Sequence, residues 1–544
     1  MKLAIAFALC TIAAPLAAQP VFQEITPASS TYFVNGEDED FWLSSLAAAD
    51  VDGDGDLDLV ALGFYVVYDV SAEDRLVVLR NDGFASDGSW QLVPTEVPLG
   101  ALYAGASDLA FGDVDGDGDA DLAVASEGAM AMYRNDAGTL VATATTLPAY
   151  LEDSFGTLAY DLRSIAFADA DNDGDLDLLV PSVYDEENFA FGPTQLLRNE
   201  GDFSFVDTQA ALAPTSNAQS AWADDDADGD LDLLLTNIDT NGEDGFIRRY
   251  RNDGDAGFVG ADVLPVTVHH GMTDWADADG DGDLDALVAG NIEEADGTFD
   301  TVLRIYRRDG DSFTAEPLAL PSAGWLDVLA ATWADYDSDG DVDLLLTGSV
   351  NGDDGIVGTS EIYGNDGTGH FTLLGVALPA PVTTIGRGGA FAWLDIDGDQ
   401  DLDYIVSGAY YVPDGNGLVE SRAQVFRNVT PAQNAPPSAP VIAAANVAGD
   451  AATISWLAAS DDHTPAAALD YDVVLTRAGT TTSAQRLPEP GRVHGATQWR
   501  FEGLAPGTYD VAVQAVDAAW SGSALARTTI VVGDPGVVFA NGFE

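Results

Sequence analysis

The sequence predicts an all-β chain: a seven-bladed β-propeller followed by a β-sandwich. Three observations carry the prediction. A nine-residue pattern, Asp-x-Asp-x-Asp-Gly-Asp-x-Asp, begins at Asp50, Asp113, Asp169, Asp224, Asp277, Asp335 and Asp395, at intervals of 63, 56, 55, 53, 58 and 60 residues. Short apolar or alternating segments recur in the same order around each copy. The pattern then stops at a Pro-rich stretch, Asn434–Pro440, beyond which longer alternating segments begin. Units repeated at such a period bury their faces on one another. Four strands per unit, with no helical period, point to propeller blades.

Within one repeat the first strand precedes the acidic loop, as in Asp108–Phe111 and Ser164–Phe167. The second follows it directly, as in Leu57–Ala61, Leu176–Val180 and Leu231–Leu235. The third ends in an Arg-Asn-like turn: Leu76–Gly83, Met130–Asn135, Gln195–Asn199. The fourth opens on an aromatic: Phe203, Phe313, Phe371. Each is short and bounded by Gly, Asn or Asp, which is the strand signature. The seventh repeat lacks a fourth strand, and Val21–Ile25 resembles one. We therefore expect the start of the chain to complete blade 7 and close the ring. Two residues before each loop stands Phe111, Phe167, Trp222, Trp275, Trp333 or Trp393, with Ala48 as the exception. A recurring aromatic of this kind reads as packing between blades rather than as a sugar-stacking set.

The loops carry the chemistry. Their acids are Asp50, Asp52, Asp54, Asp56 and Asp58; Asp113, Asp115, Asp117, Asp119 and Asp121; Asp169, Asp171, Asp173, Asp175 and Asp177; Asp224, Asp226, Asp228, Asp230 and Asp232; Asp277, Asp279, Asp281, Asp283 and Asp285; Asp335, Asp337, Asp339, Asp341 and Asp343; and Asp395, Asp397, Asp399, Asp401 and Asp403. Carboxylates at positions 1, 3 and 5 converge if the backbone curls, and Gly at position 6 permits positive φ. Position 7 then offers a carbonyl and position 9 closes the shell. Such a hard, flexible oxygen cage suits Ca²⁺, up to seven ions here. No His or Cys lies in any loop, which argues against softer metals. The seventh loop has Gln400 at position 6, so its site, Asp395 to Asp403, is the weakest expected. An EF-hand is rejected: position 12 of the first copy is Ala61 and no flanking helix is legible.

With these residues in view, positions 40 to 430 resemble the FG-GAP/VCBS repeats, the family of the integrin α head. The resemblance rests on the acidic loops and the Arg-Asn-Asp-Gly turns; Phe111-Gly112 is a fragment of the name-giving motif. It implies a seven-bladed propeller with Ca²⁺ in the loops between first and second strands. Residues 441–533 read as a β-sandwich. Trp456 and Leu504–Tyr509 resemble a fibronectin type III domain, which implies a core tryptophan and a tyrosine corner at Tyr509.

Residues 1–18 read as a secretory signal: Lys2, an apolar run, then small residues ending at Ala17-Ala18. The remaining divisions are the propeller at 19–430, the linker at 431–440 and a tail at 534–544 that resembles sorting tags of exported bacterial proteins. Cys10 and Lys2 are the only cysteine and lysine, so a processed chain has no disulfide. The net charge is −71, with 91 acidic residues against 20 Lys and Arg. That field opposes nucleic acid and anionic membranes, and the apolar run is too short for a span. A secreted or surface-held monomer is expected.

No catalytic signature appears. His269, His270, His370, His463 and His494 lie in no hydrolase or metalloprotease motif. Six connections between second and third strands look long: 63–75, 182–195, 237–247, 291–301, 349–360 and 408–422. They carry Tyr65, Tyr68, Tyr184, Phe189, Phe246, Phe299, Tyr410 and Tyr411. Function concentrates in loops on a rigid frame, so a face for an extracellular glycan or protein ligand is expected there. A polysaccharide lyase or hydrolase, and a structural protein without a specific ligand, are the alternatives.

Overall fold

A computed structural model describes residues 22–533 except 27–38, 68–70, 87–88, 100–107, 127–128, 146–164, 181–183, 186–189, 192–193, 216–218, 238–245, 255–256, 265–267, 294–298, 311, 319–324, 353–354, 375–390, 412–418, 431–433 and 478–492. The expected signal at 1–18 and tail at 534–544 lie outside the described residues.

All extended structure is β. Seven four-stranded antiparallel sheets succeed one another. We call them blades 1 to 7, spanning residues 39–97, 108–142, 166–207, 220–263, 269–317, 325–373 and 391–428. Blades 1, 2, 4, 5 and 6 use four consecutive strands; blade 3 inserts a small hairpin between its second and third. Blade 7 supplies three strands, and Phe22–Glu24 adds the fourth, with Phe22 opposite Asn428 and Glu24 opposite Phe426.

The second strands explain the ring. Asp58–Val67 is apolar at successive positions, and side chains along a strand alternate between faces. Val60 and Leu62 pack with Leu109, Leu122 and Val124 of blade 2. Leu59 and Ala61 face the other way, with Leu394, Ile396, Ile405 and Val425 of blade 7. Blade 1 is thus covered on both faces, and the last blade is its neighbour. Each such leucine contributes about 1.5–3 kcal/mol by leaving water. No blade retains that term alone.

The aromatics before the loops pack onto the aromatics that open fourth strands. Trp275 meets Phe313 at 6.2 Å, Trp333 meets Phe371 at 5.6 Å, and Trp222 meets Phe258 at 5.9 Å between ring centroids. In blade 7 the partner of Trp393 is Phe22, at 6.4 Å.

Four of the connections expected as long loops are instead continued ladders. In blade 1 pairing runs to Val67 opposite Ser71, in blade 5 to Glu293 opposite Phe299, in blade 6 to Gly352 opposite Gly355, and in blade 7 to Tyr411 opposite Val419. The second and third strands keep register past the blade edge, so backbone groups find partners within the hairpin. Tyr65 is buried rather than exposed, and the Arg75 guanidinium lies 3.7 Å from its ring centroid. The side chains of the other seven aromatics lie outside the described residues.

Residues 441–532 form two sheets, one three-stranded and one four-stranded. Trp456, Tyr471, Trp499 and Phe501 fill the space between them. The Tyr509 hydroxyl donates to the Ala505 carbonyl at 2.8 Å. This sandwich sits on the acidic-loop face of the ring. Ala168 and Leu231 join its hydrophobic core. The Glu502 amide donates to the Asn172 carbonyl at 2.7 Å, and the Asp335 amide to the Ala518 carbonyl at 3.2 Å.

Candidate metal centres

Each acidic loop joins the first and second strands of a blade and folds by one recipe. Positions 4 and 6 both have positive φ in all seven. Glycine fills most of these positions. The exceptions are Asn172, Ala227 and Ser338 at position 4 and Gln400 at position 6, with φ of 59°, 59°, 57° and 74°. The two left-handed residues coil the chain so that the carboxylate at position 1 accepts the amide of position 6. Examples are Gly55 to Asp50 at 3.1 Å, Gly118 to Asp113 at 3.0 Å and Gln400 to Asp395 at 3.1 Å. Position 5 accepts the amide of position 7, as in Asp56 to Asp54 at 3.0 Å.

The curl gathers acids. Ligand atoms of Asp50, Asp52 and Asp58 lie within 4.8 Å of one another, as do those of Asp113, Asp115 and Asp121. The same holds for Asp169, Asp171 and Asp173, for Asp224, Asp226 and Asp228, and for Asp277, Asp279 and Asp281. Position 7 diverges. Asp119 accepts the Ala137 amide at 3.2 Å, Asp283 the Gly310 amide at 3.1 Å, and Asp230 the Asn172 side-chain amide at 2.6 Å. Those side chains serve the turn after a third strand or the loop of a neighbouring blade.

Position 9 has a structural duty in every blade. One oxygen accepts the amide at the end of the third strand. Asp58 takes Asn81 at 2.8 Å, Asp121 takes Asn135 at 2.8 Å, Asp177 takes Asn199 at 2.9 Å and Asp232 takes Asn252 at 2.8 Å. Asp285 takes Arg308 at 2.8 Å, Asp343 takes Asn365 at 2.7 Å and Asp403 takes Asn428 at 2.7 Å. In blades 1, 2, 3, 6 and 7 the other oxygen accepts the amide of position 2.

The same asparagines latch the blades together. Each side-chain amide donates to the position 2 carbonyl of the preceding loop. Asn135 reaches Val51 at 2.8 Å, Asn199 reaches Val114 at 2.9 Å, Asn252 reaches Ala170 at 2.7 Å, Asn365 reaches Ala278 at 2.8 Å and Asn428 reaches Tyr336 at 2.8 Å. Asn81 reaches Ile396 at 3.0 Å, across the closure. Blade 5 has Arg308 instead. At the loop it adjoins, blade 4 carries Asp225 at position 2, and Asp225 pairs with buried Arg249 at 2.7 Å. The turn motif was legible in the sequence; its recurring, buried Asn was the signal for the latch.

Several inward oxygens are buried without a hydrogen-bond partner: Oδ1 of Asp50 and Asp169 at position 1, and of Asp226, Asp279, Asp337 and Asp397 at position 3. A buried, unpartnered carboxylate oxygen is costly, and a cation removes that cost. Burial, with like charge adding, pushes the protonation of these loops upward: Asp113 to about 7, Asp173 to about 7 and Asp121 to about 8. Asp169 and Asp335 are displaced well above the carboxylate range for the same first reason. An all-oxygen donor set in a flexible loop fits a hard divalent ion.

A family model described as an FG-GAP-like repeat matches residues 64–124 and 113–180. Residues 64–180 carry FG-GAP-like repeats. The matched stretches include the second and third acidic loops, the first running from the second strand of blade 1 to that of blade 2 and the second from the acidic loop of blade 2 to the second strand of blade 3. No curated protein sequence matches the chain. Among solved structures, the extracellular domain of a proposed hybrid two component system from B. thetaiotaomicron aligns at 12 % identity, covering 95 % of this chain and 58 % of that one, with a TM-score of 0.36. The chain therefore spans 58 % of that relative's length. An exotype rhamnogalacturonan lyase aligns at 14 % identity over 76 % of each chain, with a TM-score of 0.41. A rhamnogalacturonan lyase of Bacillus licheniformis aligns at 14 % identity over 75 % of this chain and 76 % of that one, with a TM-score of 0.38. Likeness at this level says nothing of activity. Among the described residues, no helix is long and apolar enough to cross a membrane.

Proposed function

We propose that this is an exported, calcium-binding propeller whose ring presents a binding surface to an extracellular carbohydrate or protein. One observation carries the metal reading: the loops gather carboxylates whose inward oxygens are buried and unpartnered. The carboxylates at positions 1 and 3 would hold the ion, joined by position 9 in blades 1 and 2 and by position 5 in blades 3, 4 and 5. Position 9 would also act as the strut between loop and third strand. Bound calcium supplies the positive charge that otherwise only protons or the neighbouring arginines provide. Arg427 and Arg307 already lie 3.0 and 3.1 Å from the position 3 carboxylates Asp397 and Asp279.

The binding reading draws support from the paired hairpins that extend blades 1, 5, 6 and 7 opposite the acidic loops. They are stiff, hydrogen-bonded projections on a closed frame, the arrangement in which recognition residues are held. We read the sandwich as fibronectin type III-like, from its three- and four-strand sheets, core Trp456 and the Tyr509 corner. Its position on the loop face leaves the hairpin face for ligand. The test is a glycan and matrix-protein array with calcium and with chelator, followed by product analysis of any hit. Calcium-dependent retention without turnover supports the reading. Unsaturated products or new reducing ends would replace it with a polysaccharide-cleaving activity, and silence on all surfaces would remove it.

A further inference from the structure

Blade 5 differs from the other loops in what covers it. The sandwich places His494 over Asp277, the position 1 acid. The His494 side chain is only 6 % exposed and that of Asp277 2 %. Its Nδ1 lies 2.6 Å from Oδ1 of Asp470, also of the sandwich. Its Nε2 lies 3.6 Å from Oδ2 of Asp277 and is buried without a hydrogen-bond partner. A second unpartnered atom belongs to the same loop, Oδ1 of Asp279.

The geometry has a chemical meaning. Asp470 orients the ring through Nδ1, as the outer-shell carboxylate of a metal-bound imidazole does. Without metal, burial lowers the His494 pKa but the Asp470 and Asp277 carboxylates raise it, to about 10, so a cation between Nε2 and Asp277 would take the place of the Nε2 proton. A spacing of 3.6 Å is long for an N–H···O hydrogen bond, which runs about 2.7–3.2 Å. It is close to the separation of two ligands on one ion, which at bond lengths of about 2.0–2.2 Å comes to roughly 3–3.6 Å. We propose that His494 and Asp277 share one divalent cation, which makes the blade 5 loop an interdomain centre selective for an imidazole-accepting ion such as Zn²⁺. The inference rests on the reading that these loops hold metal. Asp279 and Asp281 supply the remaining carboxylates, and Asp470 is a positioning residue. Imidazole nitrogen suits zinc and its neighbours, whereas calcium takes oxygen. The ion would join the propeller to the sandwich, with carboxylates from the blade 5 loop and the imidazole from the sandwich.

The experiment uses the full-length mature protein, untagged, stripped of metal and resaturated with 1 mM Ca²⁺, then titrated with Zn²⁺ by calorimetry. We expect one tight zinc site per chain. His494→Gln should weaken it at least a hundredfold and leave the calcium content of the other loops unchanged. Asp470→Asn, which keeps the ligand and removes its orientation, should weaken it about tenfold or more. Asp277→Asn, on the other domain, should abolish the same site, which guards against a His494 variant that simply unfolds the sandwich. If the wild type shows no zinc site beyond those left in His494→Gln, the inference is overturned while the calcium reading stands. If the wild type takes up neither ion, both fall.

Discussion

Closure of the ring makes Asn81 the most consequential asparagine in the molecule. It is fully buried. Its side-chain nitrogen donates to the Ile396 carbonyl at 3.0 Å and the Leu57 carbonyl at 3.2 Å. Its side-chain oxygen accepts the Gly83 amide at 3.0 Å and the Trp90 indole N–H at 2.7 Å. Asn81→Ala removes all four and leaves three of the partners in buried residues, Leu57, Ile396 and Trp90, the last 4 % exposed. A buried group left unpaired costs about 1–3 kcal/mol. Relaxation recovers part of that, so we expect a net loss of roughly 3–5 kcal/mol, at the upper end for single substitutions. Asn135→Ala is the internal control. It loses only the bonds to Val51 and from Gly138, and should cost roughly 2–3 kcal/mol. Urea unfolding of both variants in saturating calcium, followed by tryptophan fluorescence, reads the difference. Equal effects, or a loss below about 1 kcal/mol for Asn81→Ala, would refute the closing role.

Three further outcomes follow from the loops. In the metal-free protein, burial raises Asp58 to about 6, Asp113 to about 7, Asp121 to about 8 and Asp403 to about 9, against about 3.9 unfolded. Folding therefore favours the protonated forms, and their contribution is complete below about pH 4 and lost as pH rises through 6 to 9. Melting in chelator should be higher at pH 5 than at pH 8.5, and calcium should reverse or abolish the order. Gln400→Gly relieves a left-handed residue with φ of 74° and should stabilise by about 1 kcal/mol, measured by urea midpoint. Asp225→Val removes the nearest of three carboxylates around buried Arg249 and leaves Asp226 and Asp232 at 3.3 and 3.5 Å, so it should cost about 1.5–3 kcal/mol, and Asp225→Val with Arg249→Val, the residues blade 1 uses as Val51 and Val78, should recover part of it. A double-mutant cycle in urea decides.

The period of the acidic loops made the blades legible, because seven in-register copies leave one repeating unit to build. The closing strand was legible too: a repeat lacking its fourth strand and an orphan strand at the other end fit each other. The left-handed position 4 was hidden because Asn172, Ala227 and Ser338 stand where glycine stands elsewhere, so composition masks a shared conformation. The long hairpins were read as loops because their tips carry Asp and Gly clusters that outweigh the weak alternation beside them. The latch bonds join residues 82 to 92 positions apart, and 315 at the closure. The docking of His494 over Asp277 spans two domains. No local pattern encodes either.

The most direct measurement is metal content. Purified mature protein, equilibrated in millimolar calcium and freed of unbound ion, should retain several calcium ions per chain, up to seven. It should lose one when Asp50 and Asp52 are both changed to Asn. A chain that keeps its fold and holds no calcium under those conditions would contradict the account.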